Sequence, residues 1–543
     1  MIQLQPAERR EYMMKRIALF LLALLLLCAA ASAEEKGQDM KNNSRVFYEI
    51  FTGSFSDSDG DGTGDLRGII NRMDYLNDGD PLSGNSLGIG GIWLTPVFLS
   101  PSYHKYDVTD YYQIDPAFGT EEDLKELAAL CHERGVKLIL DLPLNHTGEN
   151  SKWFRNFRKA QQAGDTSDPY FDFYTWVPAE DPAPAGRRFR RLSNPALQVE
   201  ANFSDQMPEL NFDNDGVRQA VLDVAAYWME RGIDGFRFDA AKYPYYGDHD
   251  RNAEFWTWYM AELKKIDPDV YAVAEVWDGD GVIAHYLKAF NCFHFDFAMA
   301  EGIIAETARH GDVNRFVKAV QSYLDDIHAI NPDSMHVPFI ANHDTDRAAG
   351  YLTVASGNMQ MAANLYILSP GSPFIYYGEE IGLRGSRGGA STDANRRLAM
   401  FWGDGDTVQD PEGSNYDKSK FVSVADREKS KGSILWHYRK LIAVRNAFPE
   451  IARGDYTALK FSDTKLGGFL CTLDGSTVGV FHNTTEKTLT VDLGNTAAPA
   501  FTEIAAWIAV DPFESEATLE GTVLTLGPQT SAVLRREAGE KKE

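Results

Sequence analysis

A rhythm constrains this chain more than any single motif. From Arg45 to about Phe448, apolar β-branched runs alternate with amphipathic ones. RVFYEIF reads as a strand and DLRGIINRMDYL as a helix. GIGGIWLTPVF, VKLILDLPLNH, IDGFRFDAA and VYAVAEVW are further strands, and NCFHFDF, MHVPFIANHD and SPFIYYGEEIGL complete the set of eight. Helical stretches such as EEDLKELAALCHERG, DGVRQAVLDVAAYWMERG and VNRFVKAVQSYLDDIHAI lie between them, and GSILWHYRKLIAVRNAF closes the series. Near-continuous apolar strands alternating with helices belong to a parallel sheet covered on both faces. Eight such repeats predict an α/β fold, a (β/α)₈ TIM barrel.

The rhythm fails once, after the third strand. Residues 147–205 are rich in Pro, Arg and aromatics without a clear period, and read as an inserted domain. From about Glu450, short alternating runs such as LGGFLCTLD, STVGVFHNT, KTLTVDLG and GTVLTLG predict an antiparallel β-sandwich. The expected division is a barrel over 34–146 and 206–449, an insertion over 147–205 and a C-terminal sandwich over 450–537.

Lys15 and Arg16 precede the apolar run IALFLLALLLLCAAASA, which ends in small residues at Ala31 and Ala33. That pattern predicts a signal peptide over residues 1–33 and export of the rest, secreted or periplasmic. Cys28 offers a lipoprotein alternative, against which stands Leu27 where a small residue is expected. No second stretch is long enough to span a membrane. Cys131, Cys292 and Cys471 remain, too few and too scattered for a disulfide framework or a zinc site. A net charge of −26 argues against nucleic acid and anionic membranes as partners. A monomer is expected.

Active sites of such barrels sit at the C-terminal ends of the strands. The polar residues closing the apolar runs therefore matter most. Asn145 and His146 close the third, with Asp141 inside it; Arg237 and Asp239 close the fourth, Glu275 the fifth, and Asn342, His343 and Asp344 the seventh. A carboxylate buried at a strand end costs several kcal/mol unless it is paired or used. Each alone has a structural reading: Asp239 pairs with Arg237, Glu275 caps, His343 fills the core. Recurrence at matching positions favours chemistry.

DLPLNHTG, GFRFDAAK, VAEVW and FIANHD, in this order, resemble the four conserved regions of the α-amylase superfamily, glycoside hydrolase family 13. MPELN, from Met207 to Asn211, resembles the additional region of that family. The resemblance runs from about Arg45 to the chain's end. It implies Asp239 as nucleophile, Glu275 as general acid/base and Asp344 as a third carboxylate on the substrate hydroxyls. It further implies that Arg237 keeps Asp239 ionised, that His146 and His343 bind the sugar at the cleavage position, and that Tyr106, with His104 beside it, stacks on that sugar. Lys242 matches a residue touching the sugar beyond the cleaved bond, whereas Tyr243 departs from the usual histidine. Asp393 and Arg397 resemble a second substrate-binding pair; an i,i+4 surface ion pair is the other reading. Glu275, between Ala274 and Val276 with no basic neighbour in sequence, is expected to have a raised pKa.

The implied reaction is hydrolysis of α-1,4 bonds in starch-type glucans and maltooligosaccharides, with net retention. An α-glucosidase or oligo-1,6-glucosidase, or a 4-α-glucanotransferase, is the alternative, and a non-catalytic sugar-binding barrel a third. DSDGDGTGDLRG, Asp57 to Gly68, carries aspartates at positions one, three, five and nine of a calcium loop and Gly62 at six. Position twelve is Gly68 rather than a bidentate Glu, and a strand precedes the loop; both departures argue against a sensor. A structural Ca²⁺ on Asp57, Asp59, Asp61, Thr63 and Asp65 is expected.

Overall fold

The computed structural model describes residues 43–290, 296–387, 393–512 and 515–536. The expected signal segment, Cys28 and Cys292 lie outside them. Six parallel strands form the central sheet: β1 (Phe47–Ile50), β2 (Gly91–Leu94), β3 (Lys137–Leu142), β4 (Gly235–Phe238), β5 (Tyr271–Ala274) and β6 (Phe374–Tyr376), ordered β5-β4-β3-β2-β1-β6. β6 is the eighth run of the sequence. The sixth run, NCFHFDF, lies largely outside the described residues.

The seventh run is extended without being a regular strand. It still lies along β6, because Ser372 N–H donates to His336 O at 2.9 Å and Phe374 N–H to Pro338 O at 3.0 Å. Pro338 has no N–H to give back, which interrupts the ladder there.

Alternation within each strand decides what faces the barrel axis, since successive side chains point to opposite faces. One face supplies Tyr48, Ile50, Ile92, Leu94, Leu138 and Leu140 to the large core shared with the surrounding helices. The other supplies Phe47, Trp93, Ile139, Tyr271, Val273, Val337, Phe339 and Phe374 to a separate interior cluster. Further along several of these inward rows the side chain becomes charged: Glu49 after Phe47, Asp141 after Ile139, Arg237 in β4 then Asp239 just past it, Glu275 after Val273, and His343 four residues past Phe339. The barrel interior is thus apolar at one end and ionic at the other.

Residues 147–205 are more regular than their composition predicts. They hold the helix Lys152–Ala163, capped by Ser151, and an antiparallel sheet of Trp176–Pro178, Ala196–Glu200 and Phe189–Ser193. The helix escapes the sequence reading because its apolar stripe is only Phe154, Phe157 and Ala160 amid basic and amide residues. MPELN returns the chain to the barrel: Leu210 N–H donates to Asn145 O at 2.9 Å, and Glu209 bridges with His146.

Beyond residue 454 two antiparallel sheets follow. One has five strands (Asp455–Leu459, Leu466–Leu473, Ser476–Asn483, Thr530–Arg535, Glu503–Ala509) and the other three (Leu489–Asp492, Val523–Leu526, Ala517–Glu520). Leu466, Leu470, Phe481, Leu524, Leu526 and Leu534 form their shared core.

Candidate active site

Arg237 is the hub, fully buried. Its Nη1 donates to Asp141 Oδ1 and Oδ2 at 2.8 and 3.0 Å and to Asp239 Oδ1 at 2.5 Å. Nη2 lies 3.0 Å from Glu275 Oε2, close enough for an ion pair but not aligned as a hydrogen bond. Glu275 thus has a cationic neighbour across the sheet although none lies near it in sequence. Parallel register sets Ala274 beside Phe238, so the inward side chains of β4 and β5 converge although they are far apart in sequence.

One guanidinium cannot neutralise three carboxylates. Burial pushes Asp239 up to about 6, with Arg237 opposing and the charges of Asp141 and Asp344 adding to the rise. Arg237 neighbours Asp239 and favours its charge as expected, but desolvation is the larger effect. Burial raises Glu275 also. The aligned bonds of Nη1 favour charge on Asp239, which leaves the retained proton to Glu275. The backbone helps to hold the latter: Ala240 sits at φ 46°, and its N–H donates to Glu275 Oε2 at 2.9 Å. A left-handed alanine costs about 1–2 kcal/mol, here bound up with placing an acid.

Around this hub, Tyr106 Oη lies 2.8 Å from Asp141 Oδ2 and 2.7 Å from His343 Nε2. Its ring stacks on the His343 imidazole at 5.5 Å and 15°. Asp344 receives His343 Nε2 at 3.0 Å and Arg397 Nη2 at 2.9 Å. These cations hold it below the usual carboxylate range although burial opposes them. His146 Nε2 meets Tyr106 O at 3.1 Å, and burial lowers its pKa to about 4, so it is neutral. His104 is also lowered to about 4 by burial, and its Nδ1 accepts Tyr106 N–H at 3.1 Å. Lys242 Nζ ties to Trp277 O and Asp278 Oδ2, both at 2.9 Å, and so joins the loops after β4 and β5.

Asp393 and Arg397 do not form the i,i+4 ion pair with each other. Arg397 is buried and reaches Asp344, His343 O and Tyr103 Oη. Asp393 turns to Arg396 Nη1 at 3.0 Å. Their 3₁₀ turn, Asp393–Arg396, has three residues per turn, so i+3 and not i+4 shares a side.

The sequence reading missed the residues completing the cleft. Glu49 contacts His343 from β1; its signal was an acid at the inward parity of an apolar strand. Phe203 (44% exposed), Tyr243 and Tyr246 (38% exposed) form a row of rings 4.6 and 5.1 Å apart, starting 5.5 Å from His146. Trp277, 45% exposed, stacks on Phe297 at 4.5 Å and lines a cavity of about 380 Å³ with Asp344 and Arg396.

In the aspartate loop, Asp57, Asp59 and Asp61 bring carboxylate oxygens within 4.8 Å of one another. Asp65 is turned away: its Oδ1 caps the helix Leu66–Asn71 through Gly68 N–H and its Oδ2 accepts Ser58 N–H. Its place among the five expected ligands is corrected accordingly. The loop shares a cavity of about 420 Å³ with Tyr103 and Lys105.

A parallel barrel with converging carboxylates and exposed aromatic rings at its strand ends defines a class: enzymes that cut glycosidic bonds. Within that class, the family described as the α-amylase catalytic domain matches residues 49–454, and the chain belongs to it, within glycoside hydrolase family 13. It is similar to α-amylase 3 of Dictyoglomus thermophilum, 34% identical over 81% of this chain and 84% of that one. It is also similar to a 4-α-glucanotransferase of Thermotoga neapolitana, 28% identical over 81% and 95%. Among solved structures, Amy13B of Eubacterium rectale has a TM-score of 0.83 at 29% identity, covering 92% of this chain and 96% of that one. The α-amylase of H. orenii has 0.77 at 34%, covering 91% and 100%. The protein is a glycoside hydrolase of the amylase type, acting on α-glucans.

Proposed function

We propose that it hydrolyses α-1,4 bonds of starch-type glucans and maltooligosaccharides with retention, through a covalent glycosyl–Asp239 ester. The carrying observation is one guanidinium, Arg237, in contact with both Asp239 and Glu275. Retaining enzymes need two carboxyl groups close together, one ionised and one protonated. In the first step an Asp239 oxygen bonds to the anomeric carbon, the bond to the bridging oxygen breaks, and Glu275 gives that oxygen its proton. Water then attacks the anomeric carbon, Glu275 takes the water's proton, and the Asp239 ester opens. Asp344, His343 and Arg397 hold the sugar's hydroxyls, Tyr106 presents its ring, and His146, His104 and Lys242 border the cleavage position.

The row Phe203–Tyr243–Tyr246 supports binding of several sugar units, since each exposed ring offers a stacking face. It favours transglycosylation by a 4-α-glucanotransferase as the second reading, because a bound acceptor sugar competes with water. Product profiles on starch, maltotetraose, isomaltose and pullulan decide. Maltooligosaccharides shorter than the substrate support α-1,4 hydrolysis. Chains longer than maltotetraose support transfer, and glucose from isomaltose supports the oligo-1,6-glucosidase.

Asp57, Asp59, Asp61 and the Thr63 carbonyl suit a hard cation with oxygen ligands, and we assign them a structural Ca²⁺. The ion relieves the mutual repulsion of three carboxylates and stiffens the turn after β1. Among the described residues no helix is long and apolar enough to cross a membrane. Export through the 1–33 leader, a monomeric state, and division into barrel, insertion and sandwich complete the proposal.

A further inference from the structure

Glu49 lies in β1 at the inward position, 1% exposed, and no motif of the family resemblance includes it. Its Oε1 is 2.6 Å from His343 Nδ1 and 3.3 Å from the His343 backbone N–H. The imidazole is fully buried, with Trp93 edge-on at 5.6 Å on one side and Tyr106 stacked on the other. Its second nitrogen, Nε2, lies 3.0 Å from Asp344 Oδ2 and 2.7 Å from Tyr106 Oη. Ionised carboxylates only accept hydrogen bonds. Glu49 hydrogen-bonded at one nitrogen and Asp344 in ion-pair reach of the other favour a ring that carries both protons. We propose that Glu49 is a positioning residue for the glycosidase reaction, holding His343 as an imidazolium whose Nε2–H faces the sugar site.

The hydrogen bonds around it then have one direction. Nδ1–H donates to Glu49 and Nε2–H to Tyr106, with Asp344 Oδ2 as the ion-pair partner 3.0 Å from Nε2. The tyrosine's own O–H is left to donate to Asp141, which also accepts from Arg237. Charge asks for the same state. Facing His343 are Glu49 from β1, Asp141 from β3, Tyr106 from the loop after β2, Arg397 from the segment after β6, and Asp344 beside it; Tyr376 of β6 faces Glu49. With Asp239 and Glu275, five acids meet two guanidiniums, and the imidazolium is a third cation. Burial alone would lower the pKa of His343; Asp344 and Glu49 overcome that and bring it to about 10.

The imidazolium thereby keeps Asp344 ionised and presents a charged donor where the substrate hydroxyls sit. Such donors, fixed in a water-poor site, strengthen as charge develops on the reacting sugar. Glutamine at position 49 would keep an acceptor for Nδ1–H but remove the charge that stabilises the second proton.

The inference rests on the glycosidase reading, so the test reads the histidine separately from turnover. Full-length protein with ¹⁵N-labelled histidine is titrated by NMR, the His343 signals being assigned by their loss in His343→Gln. The expected result is an imidazolium persisting at pH 8 in the wild type, and a titration about 1–3 pH units lower in Glu49→Gln. Glu49→Asp, which retains the charge, should restore the imidazolium. On a chromogenic α-maltooligoside, the ratio of kcat/KM in Glu49→Gln to that in wild type should be highest at low pH. Above its new His343 midpoint it should fall about tenfold per pH unit, with KM changing little. A neutral His343 at pH 8 in the wild type overturns the proposal. So does an unshifted titration in a folded Glu49→Gln, or a loss of rate equal at every pH. If Glu49→Gln does not fold, the wild-type titration alone decides. A wild type that titrates as expected yet turns over no α-glucoside would refute the functional reading and leave the imidazolium standing.

Discussion

Two groups of acids are buried in this barrel, and they are held by different partners. At the strand ends, Asp141, Asp239 and Glu275 share the guanidinium of Arg237 and open on exposed aromatic rings. Just past β6, Glu379 and Glu380 are as deeply buried but meet only phenols. Glu379 Oε1 accepts from Tyr366 and Tyr438 at 2.5 and 2.7 Å, and Glu380 Oε1 from Tyr48 and Tyr75 at 2.7 and 2.6 Å. The other oxygen of each is without a partner among the described residues. Burial raises Glu379 to about 8 and moves Glu380 upward too. Burial by itself thus makes a neutral structural acid. A shared cation and an opening to substrate are what turn buried acids into a reactive pair.

Removing the acids tests this contrast most severely. Asp239→Asn and Glu275→Gln should each lower kcat on starch by on the order of 10⁴-fold, as loss of a group that reacts does. Glu379→Gln should leave kcat within about twofold. Initial rates on the folded variants check both, and an equal loss at Glu379 would erase the distinction.

Proton linkage separates the groups next. Asp239 must be ionised to attack and stands near 6, so kcat/KM should fall below about pH 6 rather than below pH 4. Glu379 acts on stability instead. Its folded pKa, about 8, lies above the unfolded value, so its contribution is complete below the unfolded pKa of about 4.5 and is lost as pH rises through 8. Thermal melts from pH 5 to 9 should show Tm declining over that range, and Glu379→Gln should flatten the slope. A slope unchanged in the variant would contradict the assignment.

The smallest effect belongs to the aspartate loop. Chelation should lower Tm by a few degrees and leave the pH profile of kcat unchanged, because the ion steadies the turn and takes no part in bond cleavage. Calcium titration against Tm measures it, and a Tm unmoved by chelator would remove the ion from the structure.

How far the sequence reached depended on distance along the chain. The barrel was legible because its two-sided burial makes strands nearly continuous in apolar residues. The strand-end acids were legible because they interrupt those runs. Glu49 interrupts one too, yet its meaning required knowing which parity faces inward, and that is set by neighbouring strands. The partnership of Arg237 with Glu275 required the β4–β5 register. Arg397 could not be separated from Asp393 by spacing, since helical periods of three and of 3.6 give different neighbours. The helix Lys152–Ala163 hid behind a narrow apolar stripe, and the row from Phe203 to Tyr246 joins the insertion to a barrel loop across a gap that no periodicity reports.

The central claim, a covalent sugar ester on Asp239, is tested most directly by the configuration of the first product. ¹H NMR during early hydrolysis of a maltooligosaccharide, before the anomers equilibrate, should show the α-anomer forming first. A β-anomer formed first would mean a single displacement by water, and would contradict the role given to Asp239.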